Sequence, residues 1–196
     1  MKNLENFVFG AVMLRPTGPN DLDFVLAAEQ HRDNSLFIRQ WSAERHLQAL
    51  ADPDIGHFII TCASTGKRLG HVILVGLNDT DRSVELRRVV ITEKGKGYGR
   101  QTIRMVKSFV FEKLVSHRLW LDVMLYNKRA FKLYKSEGFL VEGVHREAVR
   151  QGNRFVDVRV MSVLRDEYYR RFEKRPTRLL TDSLSIEESS GITVGY

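Results

Sequence analysis

The stretch Lys94-Gly95-Lys96-Gly97-Tyr98-Gly99-Arg100 carries the clearest chemical signal in the chain. Glycines at alternate positions let a backbone turn tightly and bring its N–H groups against an anion. An apolar strand pattern over 83–91 runs into the stretch and a helical pattern follows it. The loop therefore opens onto a helix N-terminus, whose unpaired N–H groups and positive dipole end favour phosphate. Lys94, Lys96 and Arg100 add full charges, although the same residues would also serve a plain strand-to-helix turn. Spacing excludes two nucleotide-binding arrangements: no Gly-x4-Gly-Lys-Ser/Thr loop is present, and a dinucleotide fingerprint would need a glycine where Arg100 stands.

A second stretch lies downstream: Asn127-Lys128-Arg129-Ala130-Phe131-Lys132-Leu133-Tyr134-Lys135-Ser136-Glu137-Gly138-Phe139. In this order and at this separation, the two stretches resemble the GNAT superfamily of N-acetyltransferases. Its signature, Gln/Arg-x-x-Gly-x-Gly/Ala, is matched by 94–99 with Lys94 keeping the charge of the first position. The loop after Ile91 is shorter than in many members and lacks their usual proline. The resemblance covers about residues 12–164 and is closest to the branch of polyamine and ribosomal-protein N-terminal acetyltransferases.

The resemblance implies acetyl-CoA as cosubstrate, lying in a splay between strands at 83–91 and 118–123. Backbone groups of Val89, Val90 and Ile91 would then pair with the pantetheine arm. Lys94 and the amides of Gly95, Lys96, Gly97, Tyr98, Gly99 and Arg100 would hold the pyrophosphate. Asn127 would bind the cofactor, cap the following helix, or both. Attack of an amine on a thioester needs three things: loss of the ammonium proton, a donor to the oxyanion, and a proton for the departing thiolate. By resemblance, Tyr134 is the candidate acid and a backbone N–H near Val90 the oxyanion donor. Glu85 is the candidate base, directly or through water. Its plainer reading is a carboxylate paired with Arg87 or Arg88, and that of Tyr134 is a core aromatic. The acceptor wall falls to Phe37, Trp41 and Glu44, and a surface near Glu29, Glu44 and Glu85 would attract a cationic amine.

The elements that must position these residues follow from hydrophobic periodicity. A first strand occupies the apolar 7–14 and ends at Pro16. A helix near 21–31 is capped by Thr17 or Asn20, and another runs from Ser42 to about Ala51. Strand patterns at 57–63, 68–77 and 83–91 form a meander. Ile103, Val106, Val110 and Leu114 make the buried stripe of a helix over 99–116. A strand at 118–123, a helix at 127–137 stopped by Gly138, and a hairpin of 139–149 with 155–164 complete the pattern. The fold class is α/β, or mixed α+β: a GNAT-like mixed sheet of six to seven strands flanked by about four helices. The domain is expected to span 1–169. From 170 the chain turns basic and then acidic and serine-rich, which reads as a C-terminal tail or arm over 170–196.

Composition bounds the rest. At 196 residues and 43% hydrophobic, the chain suits one domain with a substantial core. One cysteine, Cys62, allows no internal disulfide and no cysteine zinc cage, and the six histidines show no metal-ligand spacing, so no metal is expected. No apolar run spans a bilayer, no membrane partner is expected, and a reduced, cytoplasmic setting fits. The net charge of +7 favours an anionic partner. Arg100, Arg104 and Lys107 recur at helical spacing and would form one basic face. A nucleic-acid binder is the competing class, but no helix-turn-helix, zinc-finger or Arg/aromatic pattern supports it. An acyl-CoA sensor or another acyltransferase would share the fold. The reading leaves the amine acceptor open and leaves room for a homodimer.

Overall fold

Alternation of apolar side chains builds a sheet with two covered faces, and this division of faces sets the functional site. The computed structural model describes residues 6–173. The apolar run at the N-terminus, expected as one strand, is broken at Gly10, whose backbone is left-handed (φ +60°). It forms a hairpin of β1 (Phe7–Phe9) and β2 (Val12–Pro16). The extra strand raises the total to eight, above the six to seven expected.

A 3₁₀ turn (Pro19–Asp21) leads into α1 (Leu22–Gln30), followed by the short α2 (Arg32–Ser35) and by α3 (Ala43–Ala51). Neither Thr17 nor Asn20 caps this region. Asp21 instead reaches back to accept from the Gly18 N–H at 3.0 Å, and Thr17 is drawn inward to His57. Ser42 does cap α3, its hydroxyl accepting from the Arg45 N–H at 3.2 Å.

The meander is β3 (Ile55–Cys62), β4 (Arg68–Val75) and β5 (Ser83–Ile91). Then come α4 (Tyr98–Ser108), β6 (Arg118–Met124), α5 (Lys128–Ser136), β7 (Leu140–Gln151), β8 (Arg154–Leu164) and α6 (Arg165–Glu173). The sheet order is β1-β2-β3-β4-β5-β6-β8-β7, and β5–β6 is its one parallel pair among the described residues. After Ser108 the helix widens into a π turn (Phe109–Lys113). It buries Phe109, Val110 and Phe111 in succession and leaves Leu114 only partly buried. The main core lies under α4 and α5, around Phe58, Leu86, Ile103, Leu119 and Phe139. A smaller cluster of Ala49, Ile55 and Ile73 lies under α3 on the opposite face.

The expected boundary between 169 and 170 falls inside α6. This helix is tied to the domain by Tyr168, which packs on Phe111 at 4.9 Å. The remaining stretch expected as a tail, from 174 on, lies outside the described residues. No helix among the described residues is long and apolar enough to cross a membrane.

Candidate functional site

Two irregularities of β5 create the site. The first is where its pairing stops. On one side β5 pairs with β4 as far as Ile91, but on the other it meets β6 only over Ser83–Glu85 against Arg118–Trp120. Beyond Glu85 the two strands separate, and residues 86–91 turn one backbone edge into a cavity of about 520 Å³. The second is a bulge: Ile73 faces Arg88 and Leu74 faces Leu86, which leaves Arg87 without a partner on β4. A bulge shifts the in–out alternation by one. Glu85 and Arg88 thereby share the face of α1 and α3, while Leu86 joins the core under α4.

The glycine loop forms one end of the cavity. Gly95 and Gly97 are left-handed at φ +81° and +80°, and Gly97 is the residue before α4. A Cβ built at Gly95 would meet nothing within 4 Å and one at Gly97 only the tip of Gln101. Backbone conformation, not internal packing, therefore favours glycine at both positions, and the space beside them is open. Gly95, Gly97, Tyr98, Gly99 and Arg100 all line the cavity, as do Val89 and Ile91. Val90, paired with His71, turns its side chain to the opposite face and can offer only its backbone.

The three cations of this loop differ in their partners. Lys96 is drawn off to Glu93 at 2.7 Å and does not line the cavity. Arg100 lines it while holding Glu137 at 2.7 Å. Lys94 donates to the Asn34 side chain and has no carboxylate within ion-pair distance among the described residues. Burial first, and then nearby Arg129, lower its pKa to about 8. A half-buried ammonium with no carboxylate in ion-pair contact among the described residues and only the charge of Asp33 nearby, next to Arg100, Arg129 and a helix N-terminus, suits phosphate. The basic face expected from Arg100, Arg104 and Lys107 is largely spent inside the protein. All three converge on the buried carboxylate of Glu137, at 2.7, 3.1 and 3.3 Å.

Asn127 caps α5, its Oδ1 accepting from the Ala130 N–H at 3.1 Å, and also lines the cavity. Further along the same helix, Tyr134 faces the same cavity. Burial, with Asp122 nearby, pushes its phenol up to about 12. Its hydroxyl makes no hydrogen bond to the described residues, and its ring packs on Phe139 at 5.7 Å.

Glu85 is 6% exposed, bound by the Arg87 guanidinium, and not part of the cavity lining. Burial raises its pKa; Arg87 pulls it back and Asp122 pushes it further up. The carboxylate that does line the cavity on this side is Asp122, held by Arg39 at 2.5 Å. Asp122, Arg39 and Arg129 are cavity residues that the sequence reading misses. Asp122 leaves a trace as the one acidic residue within the apolar run 119–124, whereas Arg39 sits in a loop with no pattern. The acidic surface envisaged near Glu29, Glu44 and Glu85 does not form. Glu29 is buried against Arg88 and Glu85 against Arg87, leaving only Glu44 exposed.

Behind this wall lies a buried polar cluster. Arg88 Nη1 donates to Glu29 Oε1 at 2.6 Å, and His71 Nε2 reaches the same oxygen at 3.1 Å. His46 Nδ1 and His57 Nε2 are 3.1 Å apart, and His57 Nδ1 is 2.8 Å from Thr17 Oγ1. Burial alone would raise the Glu29 pKa, but His46 beside it, the hydrogen bond from His71 and the charge of Arg88 hold it well below the usual carboxylate range. Burial, then His71 and His46, lower His57 to about 3, and burial lowers His71 against the pull of Glu29.

A histidine whose folded pKa lies below its unfolded value of about 6.5 stabilises the fold above that pH and loses this contribution as pH falls. Between pH 6.5 and about 4.5, His57 alone accounts for roughly 2 kcal/mol of lost stability. Thermal melts over that window are expected to show a steep fall in midpoint that is clearly shallower in His57→Gln. Parallel slopes would mean that the imidazole is protonated in the fold.

The profile of the Acetyltransferase (GNAT) family matches residues 22–139, which run from the start of α1 to just past α5. Spermidine N(1)-acetyltransferase of Vibrio cholerae is 33% identical over 106 residues, covering 54% of this chain and 61% of that protein. The Escherichia coli K12 enzyme of the same name is 30% identical over 144 residues, 68% of this chain and 75% of that one. Among solved structures, spermidine N-acetyltransferase from Vibrio cholerae in complex with CoA and spermine superposes with a TM-score of 0.73 at 26% identity. That match covers 81% of this chain and 98% of the other. A mutant form of the spermidine/spermine N-acetyltransferase SpeG from the same organism gives 0.72 at 26% identity, covering 83% and 98%.

Proposed function

Since the chain belongs to the GNAT family of acetyltransferases and uses acetyl-CoA, we propose that it acetylates a primary amine by direct attack in a ternary complex, with a polyamine as acceptor. The observation that carries the mechanism is the splay of β5 from β6. It exposes the backbone edge of 86–91 between the glycine loop at one end and Tyr134 and Asp122 at the other.

In this reading the pantetheine arm lies along Val89, Val90 and Ile91 as an added strand. Gly95, Gly97, Tyr98, Gly99 and Arg100 hold the pyrophosphate, with Lys94 beside it, and Lys96 contributes its backbone and long-range charge. The thioester comes to rest along the unpaired edge between the bulge at Arg87 and Val90, and a backbone N–H near Val90 stabilises the oxyanion. The acceptor enters past Phe37 and Trp41. Its proton leaves by way of Asp122 and water to Glu85, whose raised pKa suits a base, and Tyr134 protonates the departing thiolate. The polyamine assignment is supported by the names of the relatives and by the carboxylate of the cavity wall that meets the acceptor segment, Asp122, paired with Arg39.

The test is release of CoA thiol from acetyl-CoA with spermidine, an N-terminal peptide and an aminoglycoside as acceptors. Spermidine is expected to give the highest kcat/KM, and faster turnover of the peptide would overturn the polyamine assignment. Gly97→Ala tests the placement of the cofactor. Holding alanine in a left-handed conformation costs about 1–2 kcal/mol, so the free loop relaxes out of the conformation that binding requires and the acetyl-CoA Kd should rise about tenfold. Calorimetry with an unchanged Kd would remove the pyrophosphate from this loop.

A further inference from the structure

The buried cluster behind the cavity is joined to the acceptor wall by one side chain. Residues 38–42, between α2 and α3, have no regular secondary structure, yet with Phe37 they supply Ile38, Arg39 and Trp41 to the cavity. Such a segment keeps a fixed position only through contacts made from outside it. Its near end is held at the Leu36 carbonyl, which accepts from Tyr126 Oη at 2.9 Å and Gln151 Nε2 at 2.8 Å. Its middle is held by Arg88, beside the Arg39–Asp122 pair and the bond from Gln40 Nε2 to the Glu29 carbonyl. The Nη2 of Arg88 donates to the Arg39 carbonyl, and the guanidinium lies over the Trp41 ring, 4.7 Å from the centroid.

Arg88 is itself fixed by Glu29. The guanidinium is a rigid planar fork, so a carboxylate on one of its nitrogens orients the other nitrogen. It is 6% exposed, and Glu29, at 1%, is the carboxylate facing it. His71 donates to the same oxygen, and His46, 3.5 Å away, packs on Trp41 at 5.4 Å. None of these groups except Arg88 and Trp41 reaches the cavity.

We propose that Glu29 is a positioning residue for the acceptor amine: through Arg88 it holds the Arg39–Trp41 segment in place, and so it governs acceptor KM without touching either substrate. The kinetic part rests on reading that segment as the acceptor wall. Glu29→Gln is a clean probe. Oε1 takes all the hydrogen bonds and Oε2 has no partner among the described residues, so an amide fits with its oxygen in the first place and its NH₂ in the second. Shape is kept while the counter-charge of Arg88 is lost.

The experiment measures steady-state kinetics with spermidine and acetyl-CoA, and amide hydrogen exchange of the protein without substrates. Glu29→Gln is expected to raise the spermidine KM about tenfold or more and to leave the acetyl-CoA KM within about twofold. Exchange should quicken at 38–41 and stay unchanged at 95–100. Arg88→Lys, which keeps the charge but cannot bridge Glu29 and the Arg39 carbonyl, should give the same pattern and stands in if the Gln variant does not fold. The proposal is overturned if both KM values move together, if neither moves, or if exchange at 38–41 is unaltered. If the wild-type protein acetylates no amine offered, the function reading fails on its own, and the exchange data still decide whether Glu29 holds the segment.

Discussion

Tyr134→Phe is expected to lower kcat by ~10²–10⁴-fold, the usual contribution of a positioned general acid, with the acetyl-CoA Kd nearly unchanged. The phenol is well placed to be read this way. It faces the cavity from α5, and burial raises its pKa to about 12, so it holds its proton throughout the neutral range. It also makes no hydrogen bond to the described residues, so deleting the oxygen strands no buried partner. The ring contact with Phe139 survives the change, and melting temperature should barely move. A residue that merely packed would show the reverse, a change in stability with kcat intact. Single-turnover rates separate thiolate protonation from product release, and a wild-type rate across the pH range would exclude the hydroxyl as the acid.

The parts of this site that can be read in the sequence are those written in local residue types. Gly95 and Gly97 occupy left-handed positions that favour glycine, and Asn127 has the chemistry of a helix cap, so both stretches announce themselves. Strand and helix order follow from alternation and from the stripe of Ile103, Val106 and Val110. What escapes depends on register and on distant partners. The bulge at Arg87 decides that Glu85 and Arg88 share a face, yet no residue in 83–91 marks it. The π turn after Ser108 buries three residues in a row where the helical period calls for one. Arg100, Arg104 and Lys107 look like a surface for an outside anion. Their partner, Glu137, lies 30 or more residues away, an unremarked member of the second stretch. The histidines show the same limit. His46, His57 and His71 come from one helix and two strands, and no spacing in the chain brings them together.

Glu85→Gln is expected to reduce turnover at pH 7 by ~10²-fold, and the deficit should shrink as pH rises. An alkylammonium of pKa about 10 is almost wholly protonated at neutral pH, so the enzyme must remove a proton before attack. At higher pH more of the acceptor arrives neutral, and the need for a base falls away. Glu85 has a raised pKa, but it is enclosed, bound by Arg87 and away from the cavity lining, so the proposed base role requires a relay through Asp122 and water. The opposing account treats Glu85 as a structural partner of Arg87. The linkage sign then matters: a carboxyl raised above its unfolded value favours the neutral form in the fold, so it gains stability as pH falls through its folded pKa and lends none by being ionised at pH 7. On that account the neutral Gln leaves Arg87 without its counter-ion and lowers stability, while the kinetics stay flat. Profiles of log kcat/KM against pH for wild type, Glu85→Gln and Asp122→Asn with one accepted amine distinguish the two. The relay requires both variants to lose the acidic limb in the same way. If the Glu85→Gln profile superposes on wild type while Asp122→Asn alone is impaired, the proton goes no further than Asp122.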